Sequence, residues 1–292
     1  VNSDWTIYQG DALETLQRMA PQTYQTCVTS PPYWQLRDYG VDGQIGMEPS
    51  PEEYVDTLDE VFREVRRVLR DDGTLWLNIG DTYASGGNGG GGSWVDKRDA
   101  WDSSAHSPGW RSPPDGLKHK DLCGMPWRVA FALQEDGRHL RSDIIWKKSN
   151  AMPESVDDRP FKQHEYLFLL AKSERYYYDA DAIKEPVSGG AHSRGDWLHP
   201  KYAEPGSGVR ANTSFSAAIS DRLVDERHRR TVWETSVSRY PEAHFATFPP
   251  DLVPPASSPG LRRARVCSTP SPVAGRRGRS LCDRGGNLPA SS

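Results

Sequence analysis

The sequence predicts an α/β fold built on a parallel sheet. First, short strand-like runs alternate with segments of helical period, the pattern that places helices between parallel strands. Second, the run QTCVT (25–29) must stop at Ser30, because Pro31 and Pro32 have no amide N–H to give to a central strand. Third, TLWLNIGD (74–81) is a strong strand with a polar exit. In open α/β sheets the edge where such strands end is where ligands bind.

The elements follow in order. WTIYQ (5–9) reads as a short strand, Gly10-Asp11 as a turn, and Ala12 to Met19 as a helix. After the strand 25–29, Pro51 fits the first turn of a helix, with Pro49 and Ser50 before it. Tyr54, Val55, Leu58, Val61, Phe62, Val65, Val68 and Leu69 then recur at helical spacing. Asp71-Asp72-Gly73 is expected to end that helix before the strand 74–81. Residues 84–120 turn to Gly, Ser and Pro, too long for an ordinary connection, and predict a mobile loop. A helix at 125–135 follows, with Pro126 near its start. LRSDIIWKK (140–148) and EYLFLLAK (165–172) read as strands, and YYYDADAIKEPV (176–187) as a short strand and turn. Residues 188–232 are polar and weakly periodic, as an inserted recognition segment would be. HFATFPPDLVPP (244–255) looks structured again.

Composition narrows the class. The chain has 292 residues, 36% hydrophobic and 26% charged, enough for one large domain or two small ones. It has no apolar run of membrane-spanning length, and VNSDWTIYQGD does not read as a signal peptide. The scattered Cys27, Cys123, Cys267 and Cys282 form no CxxC pair, so neither zinc nor a disulfide framework is expected. The expectation is a reduced, cytoplasmic protein with no membrane partner. Net charge is −4, but residues 256–292 carry +6 from seven Arg against one Asp, leaving −10 on the body. An acidic body does not advertise nucleic-acid binding, yet a local basic groove suffices for it.

The candidate chemistry sits at 30–34. An isolated Ser-Pro-Pro is most often a plain turn, and this chain holds such a case at Ser112-Pro113-Pro114. Ser30-Pro31-Pro32-Tyr33 differs by context: it ends a strand, Trp34 follows it, and two other strands end in Gly10-Asp11 and Asn78-Ile79-Gly80-Asp81. Three strand ends then offer polar groups to one crevice. Other features are weaker. GGNGGGG (86–92) reads as a flexible linker before a phosphate cradle. The run YYY (176–178) suits strand packing or base stacking. Arg227-His228-Arg229-Arg230 suits phosphate contacts or a solvated cluster.

On GDALETL (10–16), TSPPYW (29–34), the helix and LWLNIGD strand (51–81), IIWKKSNAMPES (144–155) and HFATFPPDLVPP (244–255), the chain resembles the DNA amino-methyltransferases. These enzymes transfer a methyl group from S-adenosylmethionine to an exocyclic base nitrogen. Ser at the first position of the motif is typical of the cytosine-N4 branch; adenine-N6 is the alternative. The order, catalytic motif first and cofactor loop last, is that of the β arrangement. The resemblance implies a Rossmann-like sheet with helices on both faces. It implies double-stranded DNA with a flipped target base as substrate, and a cognate restriction endonuclease acting on the same site. It makes Ser30, Pro31, Pro32 and Tyr33 catalytic, and places Asp11, Phe245, Thr247, Phe248 and Pro249 beside the cofactor. Trp34, Arg227, Arg229 and Arg230 become candidate DNA contacts. Blander readings stand beside these: Asp11 as a helix N-cap, Asp81 as a strand-end turn, Phe245 and Phe248 as core aromatics.

The chemistry explains the residue types. The cytosine N4 lone pair is delocalised into the ring, so the amine is a poor nucleophile. A Ser30 hydroxyl and a Pro31 carbonyl accepting its two N–H bonds favour a more tetrahedral nitrogen. Successive prolines hold those acceptors rigid for the transition state. Tyr33 offers a face to an extruded base. The transfer is in-line and needs proximity and orientation.

The ending breaks the pattern. The family continues into a strand and a Gly-rich cofactor loop, but residues 256–292 contain no Phe, Tyr, Trp, Ile or Met. That composition predicts a disordered tail. A slipped reading frame accounts for it. Codons built from the third base of one residue and the first two of the next permit L-D-P-F-A-G-S-G-T-T-G from Cys267 to Gly278, and C-I-L-A-G from Pro255 to Gly260. A natural low-complexity tail is the rival account. A frame lost near Pro255 or Ala256 implies weak cofactor binding, or a remnant that only binds DNA.

Overall fold

The computed structural model describes residues 5–8, 10–36, 42–84, 113, 116–186, 226–237, 249, 252, 265–268 and 280–284. The interior of the expected loop 84–120, most of the insert 188–232, and Phe245, Thr247 and Phe248 lie outside the described residues.

Strands β1 (Trp5–Tyr8) and β2 (Tyr24–Thr29) are separated by helix α1 (Ala12–Gln17). Helix α2 (Pro51–Val68), strand β3 (Leu69–Ile79) and helix α3 (Met125–Glu135) follow. Then come β4 (His139–Lys148), β5 (His164–Ala171), β6 (Glu185–Pro186), β7 (Glu226–Arg227), β8 (Val232–Thr235), β9 (Arg265–Ser268) and β10 (Ser280–Arg284). Eight strands form one sheet in the order β1-β10-β9-β2-β3-β5-β4-β8. The sheet is mixed. β2 runs parallel to β3 and β9, and β4 parallel to β8, but β5 is antiparallel to both β3 and β4.

Helix α2 forms where its signals predict. The Ser50 hydroxyl accepts the Glu53 N–H at 3.2 Å and donates to the Glu53 carboxylate at 3.0 Å, which satisfies the open first turn above Pro51. Arg66 and Arg67 occupy the last turn, where cations suit the helix dipole. Tyr54, Leu58, Val61, Phe62, Val65 and Val68 form the buried stripe. Each such apolar side chain contributes about 1.5–3 kcal/mol when fully buried.

The turn expected at 71–73 is absent. The chain passes from α2 straight into β3 at Leu69, and the β2–β3 register jumps from Tyr24↔Leu69 to Thr26↔Thr74. Residues 70–73 therefore bulge from the ladder. Gly73 lies at the crowded point, where a Cβ would meet the Arg70 carbonyl oxygen at 2.9 Å and that of Gln25 at 3.1 Å.

Strand alternation sends side chains to two cores. Cys27, Leu75, Leu77, Ile79, Phe168 and Leu170 pack with the three helices on one face. Val28, Trp76, Ile144, Trp146, Leu167, Leu169, Trp233 and Leu252 form the other. Helices were expected on both faces; the described ones join the first core only.

The tail differs from expectation as well. β9 and β10 both fall within 256–292, where the composition predicts no order. β9 pairs parallel to β2 through Thr26↔Val266 and Cys27↔Cys267, and β10 pairs antiparallel to β9 and to β1. An open edge on β2 presents unpaired N–H and C=O groups, and a short strand alongside satisfies them.

Residues Asp179–Arg230 form a compact unit of their own. Within it β6 pairs antiparallel to β7. Among the described residues no helix is long and apolar enough to cross a membrane.

Candidate active site

Two antiparallel steps and one parallel step separate β1 from β2, so β1, β2 and β3 point the same way. Asp11, Ser30 and Asn78 thus lie along one edge of the sheet. β2 and β3 are neighbours. β1 stands three strand spacings from β2, roughly 14 Å at the ordinary interval.

At the end of β2, Pro31 and Pro32 are buried while Ser30 and Tyr33 are partly open. The Pro32 carbonyl accepts a hydrogen bond from the Tyr54 hydroxyl of α2 at 2.8 Å. Tyr33 turns back over the end of β3. Its ring lies so close to Gly80 that a Cβ there would sit 2.6 Å from Tyr33 Cε2. The Tyr33 hydroxyl has Glu165 Oε2 at 2.6 Å and Asn78 Oδ1 at 3.0 Å, and the Ser30 hydroxyl donates to it at 3.3 Å. Asn78 Nδ2 donates to Glu165 Oε2 at 3.2 Å and to the Tyr166 carbonyl at 3.1 Å. Lys148, at the end of β4, forms a salt bridge to Glu165 Oε1 and lies over the Trp146 ring at 4.8 Å. Burial, and then the Glu165 charge, push the Tyr33 phenol well above the ordinary tyrosine range, so it remains a hydroxyl.

Asp81, expected as a strand-end turn, is instead tied to helix α3. Its carboxylate accepts the Met125 N–H at 3.0 Å and the Gly124 N–H at 3.2 Å, closing the open first turn of α3. The Lys162 amine donates to the Asp81 carbonyl at 2.9 Å. Burial lowers the pKa of that amine. Burial also pushes the Cys123 thiol up to about 11, too high for a thiolate at neutral pH.

Asp11 is exposed and caps α1, accepting the Glu14 N–H at 3.0 Å. Trp34, expected at the DNA, is a correction. It is 3% exposed, packs in the helix-side core, and its indole N–H donates to the Glu48 carbonyl at 2.9 Å. An indole that large is worth more in the core than at a wet surface. Pro249 is buried, and its carbonyl accepts the Leu252 N–H at 3.0 Å beneath the second core. Arg227 and Arg230 converge on Glu185 Oε1 at 2.7 Å each, and Arg229 is half-buried in the same unit. Glu165 is the candidate the sequence reading did not single out. Its signal is a lone carboxylate opening the apolar run EYLFLLA.

The mixed sheet with helices packed on it is the fold of an α/β methyltransferase. The DNA methylase family model matches residues 24–255. The type II methyltransferase M.SmaI of Serratia marcescens is 48% identical over 244 residues, covering 83% of this chain and 70% of that protein. M.Cfr9I of Citrobacter freundii is 46% identical over 250 residues, covering 86% and 70%. The solved PvuII DNA methyltransferase (cytosine-N4-specific) shares the fold, with a TM-score of 0.52 at 16% identity over 89% of this chain and 72% of that one. The chain belongs to the DNA methylase family.

The residues present fit S-adenosylmethionine only in part. Asp11 stands on the right edge. In the sequence β9 is followed by Thr269-Pro270-Ser271-Pro272, with no glycine run through which backbone amides could approach a ligand. The family match stops at residue 255, where the composition changes.

Proposed function

We propose that the chain derives from a site-specific DNA methyltransferase that methylates cytosine N4 in double-stranded DNA, paired with a restriction endonuclease of the same specificity. S-adenosylmethionine supplies the electrophilic methyl group. The observation that carries this reading is the Ser30–Tyr33 turn at the exit of β2, braced against Asn78 and Glu165. The Ser30 hydroxyl gives its proton to Tyr33 and keeps lone pairs for an amine N–H. The Pro31 carbonyl, one residue on, is the second acceptor. Together they hold the amine with its lone pair directed away from the base plane. The target base leaves the duplex to reach them and stacks on the partly open Tyr33 ring. Arg227, Arg229 and Arg230 meet phosphates, with Glu185 holding two of them in place.

The relatives M.SmaI and M.Cfr9I, both type II methyltransferases, support a type II DNA methyltransferase, and the cytosine-N4-specific PvuII enzyme favours cytosine N4. Ser30, rather than an acidic residue, at the head of the motif favours the same branch.

A second reading has its own observation, the missing glycine run after β9. On that reading the chain binds DNA and transfers nothing. Incubation with duplex DNA and labelled S-adenosylmethionine, followed by nucleoside mass spectrometry, separates the cases. N4-methylcytosine abolished by Ser30→Ala supports the first, and N6-methyladenine redirects it to the adenine branch. A gel shift without any methylated nucleoside supports the second.

A further inference from the structure

The network behind Tyr33 has a direction. The phenol carries one proton and has two acceptors in reach, Glu165 Oε2 at 2.6 Å and Asn78 Oδ1 at 3.0 Å. The shorter contact, to a charged oxygen, accepts the O–H, because charge-assisted bonds are the stronger. The phenolic oxygen is then left as an acceptor, and the Ser30 hydroxyl donates to it at 3.3 Å. Glu165 is itself fixed twice, by the Lys148 ammonium on Oε1 and by the Asn78 amide on Oε2. Its side chain is 12% exposed, so water competes little for these bonds.

We infer that Glu165 is a positioning residue for methyl transfer: by accepting the Tyr33 O–H hydrogen bond it turns the Ser30 hydroxyl towards Tyr33 and leaves Ser30 lone pairs for the target amine. This rests on the proposed function for the role of Ser30, but the order Glu165–Tyr33–Ser30 belongs to the protein alone. Glutamine at 165 disrupts that order without changing shape. Its amide oxygen is claimed by Lys148, which has only protons to offer, so its NH2 faces Tyr33 and competes as a donor for the phenolic oxygen.

The test compares the chain with Glu165→Gln, Tyr33→Phe and the double variant, in single-turnover transfer from labelled S-adenosylmethionine to duplex DNA. Each single variant is expected to lose about 10²-fold in rate, the scale of a misoriented reacting group, with the DNA KM little changed. The double variant is expected to lose no more than either single one, because groups acting in series are not additive. Losses that multiply, or a KM effect alone, overturn the inference. A parent chain that transfers no methyl group defeats the proposed function instead. The second readout then decides: 19F NMR of 3-fluorotyrosine at position 33, beside the hydroxyl. A resonance that moves in Glu165→Gln supports the order of donors, and one that stays put overturns it.

Discussion

The Tyr54 hydroxyl, buried on α2, donates to the Pro32 carbonyl at 2.8 Å. A proline pair fixes its own φ angles but leaves its carbonyls needing partners once buried. α2 therefore supplies apolar area to the core and also one bond that anchors the turn at the exit of β2. Burial, with Glu48 adding to it, raises the Tyr54 pKa above the ordinary range, so the hydroxyl stays a donor. In Tyr54→Phe the Pro32 carbonyl loses its partner while the ring packing is kept. The variant is expected to lose about 1–3 kcal/mol, the cost of one unsatisfied buried polar group. Urea unfolding measures it, and an unchanged midpoint would show that the carbonyl is not dependent on Tyr54.

Gly80 makes room for Tyr33. A Cβ at position 80 would lie 2.6 Å from Tyr33 Cε2 and 2.9 Å from Cδ2, inside any real contact distance. The ring cannot yield freely, because its hydroxyl is tied to Asn78 and Glu165. Gly80→Ala is expected to cost about 1–3 kcal/mol of overpacking. In a Tyr33→Ala background the same change should cost almost nothing, because the clash is gone. Equal costs in both backgrounds, read by urea denaturation, would place the strain elsewhere.

Asp59 gives a pH dependence. It lies on α2 with Oδ2 bound to Arg63 at 2.6 Å and Oδ1 buried without a hydrogen-bond partner. Burial raises its pKa, and the nearby Asp136 charge raises it further, while Arg63 and Arg138 pull it down. An acid with a raised folded pKa holds its proton more tightly in the native state. Its ionisation therefore costs stability as pH rises through the unfolded value, about 3.9, and the cost is complete above the folded pKa. Asp59→Asn removes that cost, and the pair it gives up is weak because the Arg63 side chain is 60% exposed. The variant is expected to melt higher than the parent at pH 7 and to lose its advantage as pH falls below the ordinary aspartate range. Scanning calorimetry at both ends decides, and a lower melting point at pH 7 refutes it.

How much of this was legible in the sequence depends on distance along the chain. Helix α2 could be read because its cap, its Pro51 and its apolar stripe are local. Ser30 could be read because two prolines must stop a strand wherever it lies. Trp34 misled because an aromatic beyond a strand end looks exposed, and only the fold brings the Glu48 carbonyl to its indole. Glu165 went unnoticed because its partner Tyr33 is 132 positions away, and no periodicity spans that gap. The β3 bulge was hidden for the same reason. Asp71-Asp72-Gly73 has the composition of a turn, and only the pairing with β2 makes it part of a strand.

The last expectation concerns the slot beside β2. β9 fills it through the pairs Thr26↔Val266 and Cys27↔Cys267, so the sheet itself has a strand there. Backbone pairing tolerates many sequences; a cofactor loop does not, because its amides reach a ligand only where glycines remove the side chains. The residues after β9 read Thr269-Pro270-Ser271-Pro272, and each proline also removes an amide donor. In the shifted frame the same stretch permits D-P-F-A-G-S-G, with donors and glycines restored. Two recovered amide hydrogen bonds of about 1–1.5 kcal/mol each amount to roughly 10²-fold in affinity. A version carrying the shifted frame from residue 256 is therefore expected to bind S-adenosylmethionine roughly 10²-fold more tightly than the chain as it stands. Isothermal titration of both, with no DNA present, measures this directly. Equal affinities would mean that the cofactor is held by Asp11 and the 245–249 segment without any glycine loop, and that the altered ending is a natural one.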